Sequence, residues 1–220
     1  VGDVIRDATN DLVTWLVVNF GDGFEAVSNA LLTVLVAIEQ VLRGAPPLVV
    51  ILAVGVIAWA ASRRVGLALG MSVLMWFVGT LGLWEQAMQT VAIMLVSVGI
   101  AILVGVPVGV MAARSDRPRA IVRPVLDLMQ TIPRFVYLIP AAMLFGLGKV
   151  PAILATVIYA TPPLIRLTDL GIREVDSEVV EASRAFGATR WQMLRGVQIP
   201  LALPSIMQGI NQTTMMALAM

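Results

Sequence analysis

Long, unbroken apolar runs dominate this chain. They cover roughly 46–62, 66–84, 87–113, 120–147, 150–165 and 199–220. A bilayer core is about 30 Å thick and takes about 20 apolar residues per spanning helix. Within it the chain must satisfy its own backbone N–H and C=O groups, which leaves helices or closed barrels. Barrel strands alternate apolar and polar residues over about ten positions, whereas these runs are longer and continuously apolar. Composition agrees: 59% of the 220 residues are hydrophobic and 13% charged, with mean hydropathy +0.91, against about 25% charged in soluble domains. The expected fold class is an all-α integral membrane protein with about six spanning helices present.

The N-terminal region differs. Residues 1–23 are polar and acidic, with Asp3, Asp7, Asp11 and Asp22 against Arg6. From 24 to 43, Phe24, Val27, Leu31, Leu35, Ile38 and Leu42 fall near one helical face, with Glu25, Glu39 and Arg43 among the polar positions. The uncharged stretch 26–38 is too short to span, so an amphipathic helix lying on the membrane surface is expected, with a tilted span as the alternative. Three parts follow: an extracytoplasmic segment 1–44, two membrane helices within 45–84, and the main transmembrane domain 85–220. Asp127, Pro133, Arg134 and Pro140 interrupt the fourth run, which should bend or split. Pro162 and Pro163 fall near the end of the fifth. Val1 at the start and Met220 inside an apolar run suggest that both ends are trimmed, and the acidic start lacks the basic residues of a cleavable signal peptide.

Basic residues recur in alternate loops: Arg63 and Arg64; Arg114, Arg117, Arg119 and Arg123; Arg166, Arg173, Arg184, Arg190 and Arg195. The positive-inside rule puts these loops in the cytoplasm and the N-terminus outside. No Cys and no His are present. That excludes disulfides, zinc sites built on those residues and a Ser-His-Asp triad. No GxxxxGK[ST] phosphate loop occurs, so ATP hydrolysis is not expected of this chain. No catalytic or metal-binding residues are assigned.

The loop at 166–198 is far longer than a bundle connector, and it has internal structure. Ser177 is placed to cap a helix starting at Glu178. Val179, Ala182, Ser183 and Phe186 then share one face. Gly187 suits a left-handed stop. Thr189-Arg190-Trp191-Gln192 has the capping-box spacing for a second helix, with Trp191, Leu194 and Val197 along one side. Such a pair can dock its small, apolar face in a groove on another protein or pack back on its own spans.

The segment Glu181-Ala182-Ser183, three residues, Gly187, nine residues, Val197-Gln198-Ile199-Pro200 resembles the EAA loop of ABC-type importer permeases, with Ser183, Val197 and Ile199 as departures. Leu126 to Pro133, Phe135 to Pro140, Met143 to Gly146, Pro162 to Thr168 and Gly209 to Thr213 resemble the permeases of glycine betaine/proline betaine importers. The resemblance is strong over 85–220 and loose before it. It implies a type I importer transmembrane domain, truncated at its C-terminal end, moving glycine betaine, proline betaine or a related quaternary amine such as choline. It further implies that Glu181, Ala182, Ser183, Phe186, Gly187, Trp191 and Pro200 couple the chain to a separate ATP-binding subunit, which would carry ATP and Mg. The remaining implied partners are an extracytoplasmic substrate-binding protein, a second permease copy and the lipid of a bacterial inner membrane; no nucleic acid and no cofactor of its own are expected. Another small solute, such as an amino acid, and a passive channel or scaffold are the alternatives.

Polar residues at membrane depth are costly and mark functional positions or interhelical hydrogen bonds. Gln130, Phe135, Tyr137, Asn211 and Gln212 are the candidates for a substrate path, the two aromatic rings because quaternary amines favour π faces. Arg134 needs a partner, and Asp127 reaches it only across a bend. Gly99, Gly105 and Gly109 read as packing positions.

Overall fold

A computed structural model describes the backbone of residues 2–220 and the side chains of Asp7 and of residues 10–220. Among the described residues every regular element is helical, ten α-helices with a 3-10 turn and one π-helical segment. The chain divides into two compact units, residues 26–96 and residues 1–25 with 97–220.

The smaller unit holds the end of α1 (Gly2–Gly44), then α2 (Pro47–Ser62), α3 (Val65–Thr80) and the start of α4 (Trp84–Arg114). α2 and α3 form a hairpin whose link turns at Arg63, a non-glycine residue at φ 56°. Gly55 lies so close to α3 that a Cβ there would stand 2.5 Å from Ser72 Oγ. Arg43 bonds Glu39 at 3.4 Å and Glu85 at 2.9 Å, tying the end of α1 to the start of α4.

The larger unit holds the rest of α4, then α5 (Asp116–Thr131), a 3-10 turn (Arg134–Tyr137), α6 (Leu138–Phe145), α7 (Lys149–Arg173), α8 (Ser177–Ala185), α9 (Arg190–Met193), the π segment Leu194–Gln198 and α10 (Ile199–Leu218). α7 is its central element. Leu164 and Ile172 of α7 pack with Leu194, Ala202 and Ile206 in one buried cluster. Small residues let α4 and α10 approach α7, as in membrane bundles generally. Gly209 faces Leu164, Gly171 faces Ser205, and Thr213 Oγ1 donates to Ala160 O at 2.8 Å. Gly105 and Gly109 behave as the expected packing positions, whereas nothing lies within 4 Å of a Cβ at Gly99.

At Gly109 a Cβ would stand 2.5 Å from Thr168 Cβ and 2.9 Å from the Ile165 carbonyl. Neither atom can rotate away. Gly109→Val is therefore expected to cost about 1–3 kcal/mol through overpacking, read as a lower melting temperature of the purified protein. A wild-type melting curve would refute the contact.

The span count differs from expectation. Among the described residues three helices are long and apolar enough to cross a membrane, within 10–44, at α4 and at α7, or four if a bent pair is counted. Runs 46–62 and 66–84 end as α2 and α3, of 16 residues each, about 24 Å at ~1.5 Å per residue. α10 is 20 residues long, but Ser205, Gln208, Asn211, Gln212, Thr213 and Thr214 dilute its apolar character. At the N-terminus the helix begins at Gly2, not near Phe24, and residues 10–44 are long and apolar enough to span; the side chains of Asp3 and Arg6 lie outside the described residues. The fourth run is split as expected, with α5 and the Arg134–Phe145 stretch at 106° to each other. The fifth passes through buried Pro162 and Pro163 and runs on to Arg173, since helix contacts on both sides tolerate prolines in such segments.

Candidate functional site

The loop after α7 is two short helices around a tight turn. Asp176, not Ser177, caps α8: its carboxylate accepts from Glu178 N at 2.9 Å, which makes Ser177 the first helical residue. The C-terminus of α8 is a Schellman turn. Ala188 N donates to Ser183 O and Gly187 N to Arg184 O, with Gly187 at φ 81°. Thr189 and Gln192 then form the anticipated capping box. No second break follows. The helix runs from α9 through the wider π turn directly into α10, with Pro200 at its second residue. Proline has no N–H to donate, and a π turn accommodates that change of register.

The pair packs back on its own unit through one face and leaves the other exposed. Met193 and Leu194 are buried within the unit. Val179, Glu181, Ala182, Gly187 and Pro200 are exposed, Ser183 is half-buried, and Phe186 (92% exposed) and Trp191 (57%) stand out from the turn. The expected common side of Trp191, Leu194 and Val197 is thus divided, since only Trp191 faces outward.

Beneath the pair lies a set of ion pairs that sequence reading missed. Asp169, 7% exposed, accepts from Arg119 Nε at 2.9 Å and from Arg173 Nε at 3.0 Å. Arg173 also donates to Ala112 O at 2.9 Å and pairs with Asp116 at 2.8 Å. Asp169 and Arg173 together thereby join the ends of α4, α5 and α7, and α7 itself stops just short of the Asp176 cap. The available signal was the i,i+4 spacing of Asp169 and Arg173, legible once α7 continues through both.

The candidate path residues are spread over α5, the 3-10 turn and α10. Phe135 lines an apolar cavity of about 530 Å³ with Leu138, Ile139, Met143 and Pro151. Gln130, Asn211 and Gln212 take no part in it, and Asn211 and Gln212 are exposed. Tyr137 has a structural role, for its hydroxyl donates to Met129 O at 2.7 Å. Proline at 133 cannot supply the i→i−4 bond to that carbonyl, and the phenol supplies it in its place. Tyr137→Phe should cost about 1 kcal/mol and loosen the bend, visible as faster amide exchange across 129–137; unchanged exchange would contradict it. Arg134 does not meet Asp127. The bend turns it toward Ala219 O and over the Phe135 ring, 5.1 Å from guanidinium to centroid, while Asp127 pairs with Arg166 at 2.5 Å.

Among the described residues no group of three His, Cys, Asp or Glu side chains could hold a metal ion. Residues 105–219 match the family model described as binding-protein-dependent transport system inner membrane component. The chain is 46% identical over 208 residues to the glycine betaine/proline betaine transport system permease protein ProW of Escherichia coli, covering 94% of this chain and 58% of that protein. It is 42% identical over 216 residues to the glycine betaine transport system permease protein OpuAB of Bacillus subtilis, covering 98% of this chain and 76% of that one. Among solved structures, an inward-facing form of the MetNI methionine ABC transporter superposes with TM-score 0.55 at 26% identity, covering 66% of this chain and 72% of that chain.

Proposed function

The chain belongs to the binding-protein-dependent transport system inner membrane components, the permeases of ABC-type importers, and from that premise we propose that it moves glycine betaine, proline betaine or a related quaternary amine such as choline. The relatives named for glycine betaine support the substrate class. The chain spans about half to three quarters of their lengths.

The observation that carries coupling is the outward face of α8 and its turn. Val179, Ala182 and Phe186 are apolar and exposed on a helix pair whose other face is already buried through Met193 and Leu194. An apolar helix face of this kind suits a groove on a separate ATP-hydrolysing subunit. Glu181, Ala182 and Ser183 would sit in that groove, Gly187 and Pro200 would set the angles of entry and exit, and Phe186 and Trp191 would anchor its rim. Closure of two such subunits on ATP would draw two copies of the loop together, in a permease homodimer fed by an extracytoplasmic binding protein. The loop then faces the cytoplasm and the N-terminus lies outside an inner membrane. The arginines at 63–64, 114–123 and 166–195 favour that orientation.

The test is ATP hydrolysis by the full-length permease purified with its ATPase in lipid. The binding protein loaded with glycine betaine or choline is expected to stimulate hydrolysis, and one loaded with methionine is not. An ATPase that ignores every loaded binding protein would sink the importer reading.

A further inference from the structure

A cavity of about 350 Å³ opens between α5 and α7, near the low end of ligand-pocket sizes. Its charged walls are Arg119, Arg123, Asp127, Arg166 and Asp169, among apolar residues such as Leu126 and Ile165. Three arginines face two aspartates. Arg119 is taken by Asp169 at 2.9 Å and Arg166 by Asp127 at 2.5 Å. Among the described residues Arg123 has no ion pair, so the cavity holds one uncompensated positive charge.

The side chains of the Asp127–Arg166 pair are 66% and 43% exposed, so the cavity is open to water. Arg123 and Asp127 are one turn apart on α5, their Cβ atoms about 5–6 Å apart. Asp127 uses Oδ1 for Arg166.

We propose that this cavity is a transient site for a zwitterion on the permeation path. Arg123 receives the carboxylate, and Asp127 faces the quaternary ammonium. The proposal rests on the betaine-permease reading and deepens it. A betaine carries opposite charges a few atoms apart, matching neighbouring groups of opposite sign on one helix turn. No aromatic ring lines the cavity, so the hold is weak, as conduction through a site requires.

The experiment is saturation-transfer NMR on the full-length permease with its ATPase in lipid nanodiscs, without binding protein, using glycine betaine and choline as probes. Transfer to glycine betaine is expected, and choline, which lacks the carboxylate, binds more weakly. Losing one charge-assisted contact in Arg123→Gln raises the betaine Kd roughly tenfold and abolishes the preference over choline. Arg123→Lys restores it, which a merely structural role would not. Arg123→Gln removes no ion pair, so its melting curve stays that of wild type and it decides the matter even if Asp127→Asn fails to fold. An unchanged Kd in Arg123→Gln overturns the site. So does absent transfer in a wild-type assembly that, reconstituted in closed liposomes, still takes up glycine betaine with its binding protein. Absent uptake in that assembly overturns the permease reading and this site with it.

Discussion

Asp169→Ala is expected to destabilise the protein by about 3–5 kcal/mol, the usual cost of removing one partner from a buried ion pair. Asp169 is 7% exposed and is the shared acceptor of Arg119 and Arg173, themselves only partly open to solvent. Its loss leaves two guanidinium groups together without their common counter-charge. Asp169→Asn keeps the shape and removes the charge, so it should be nearly as harmful if charge is the cause. Arg173→Ala should do less, because Asp169 keeps Arg119 while the contacts to Ala112 O and Asp116 are lost. Thermal unfolding of the purified membrane protein measures all three. A melting temperature within error of wild type for Asp169→Asn would show that the network contributes shape rather than charge.

The second large effect is on assembly and leaves stability alone. Ala182→Arg and Phe186→Asp both alter exposed side chains on the outward face of the α8 pair. Neither removes a buried contact, so the melting curve should match wild type. Each puts a charge on a surface proposed to sit in an apolar groove. A central interface position of this kind is worth about 2 kcal/mol or more, roughly thirtyfold in affinity. Copurification of the ATPase should therefore fail or weaken sharply, and uptake with it. Full copurification with both variants would place the coupling surface elsewhere. The contrast separates two kinds of residue only a few turns apart, Asp169 holding the fold and Phe186 presenting it.

The loop was the most legible region of the chain, because its signals are local. A capping box needs only Thr189 and Gln192, and a Schellman stop needs only a glycine at 187. Both formed. The cap at Asp176 was missed by one residue because Asp and Ser are nearly equal caps and both precede the same run. The split at Pro133 was also local, since proline removes a donor wherever it falls in a helix. The replacement donor was not foreseeable: Tyr137 reaches Met129 only once the chain has bent by 106°.

By itself, then, the sequence determined that the chain is helical and built for a bilayer, where it breaks, and which short segment between helices carries caps and an apolar face. Those properties depend on hydropathy and on contacts within about four residues. Tertiary structure alone decided that Asp169 gathers two arginines from different helices, that Arg166 and not Arg134 meets Asp127, and that Gly109 and Gly171 mark closest approach while Gly99 does not. It also decided how few of the apolar runs are long enough to span. The physical reason is common to all of these: a charge or a small residue takes its role from whatever lies across the helix interface. In α7 that interface is set by packing against α4, α5 and α10 over separations of tens of residues, which no local pattern encodes.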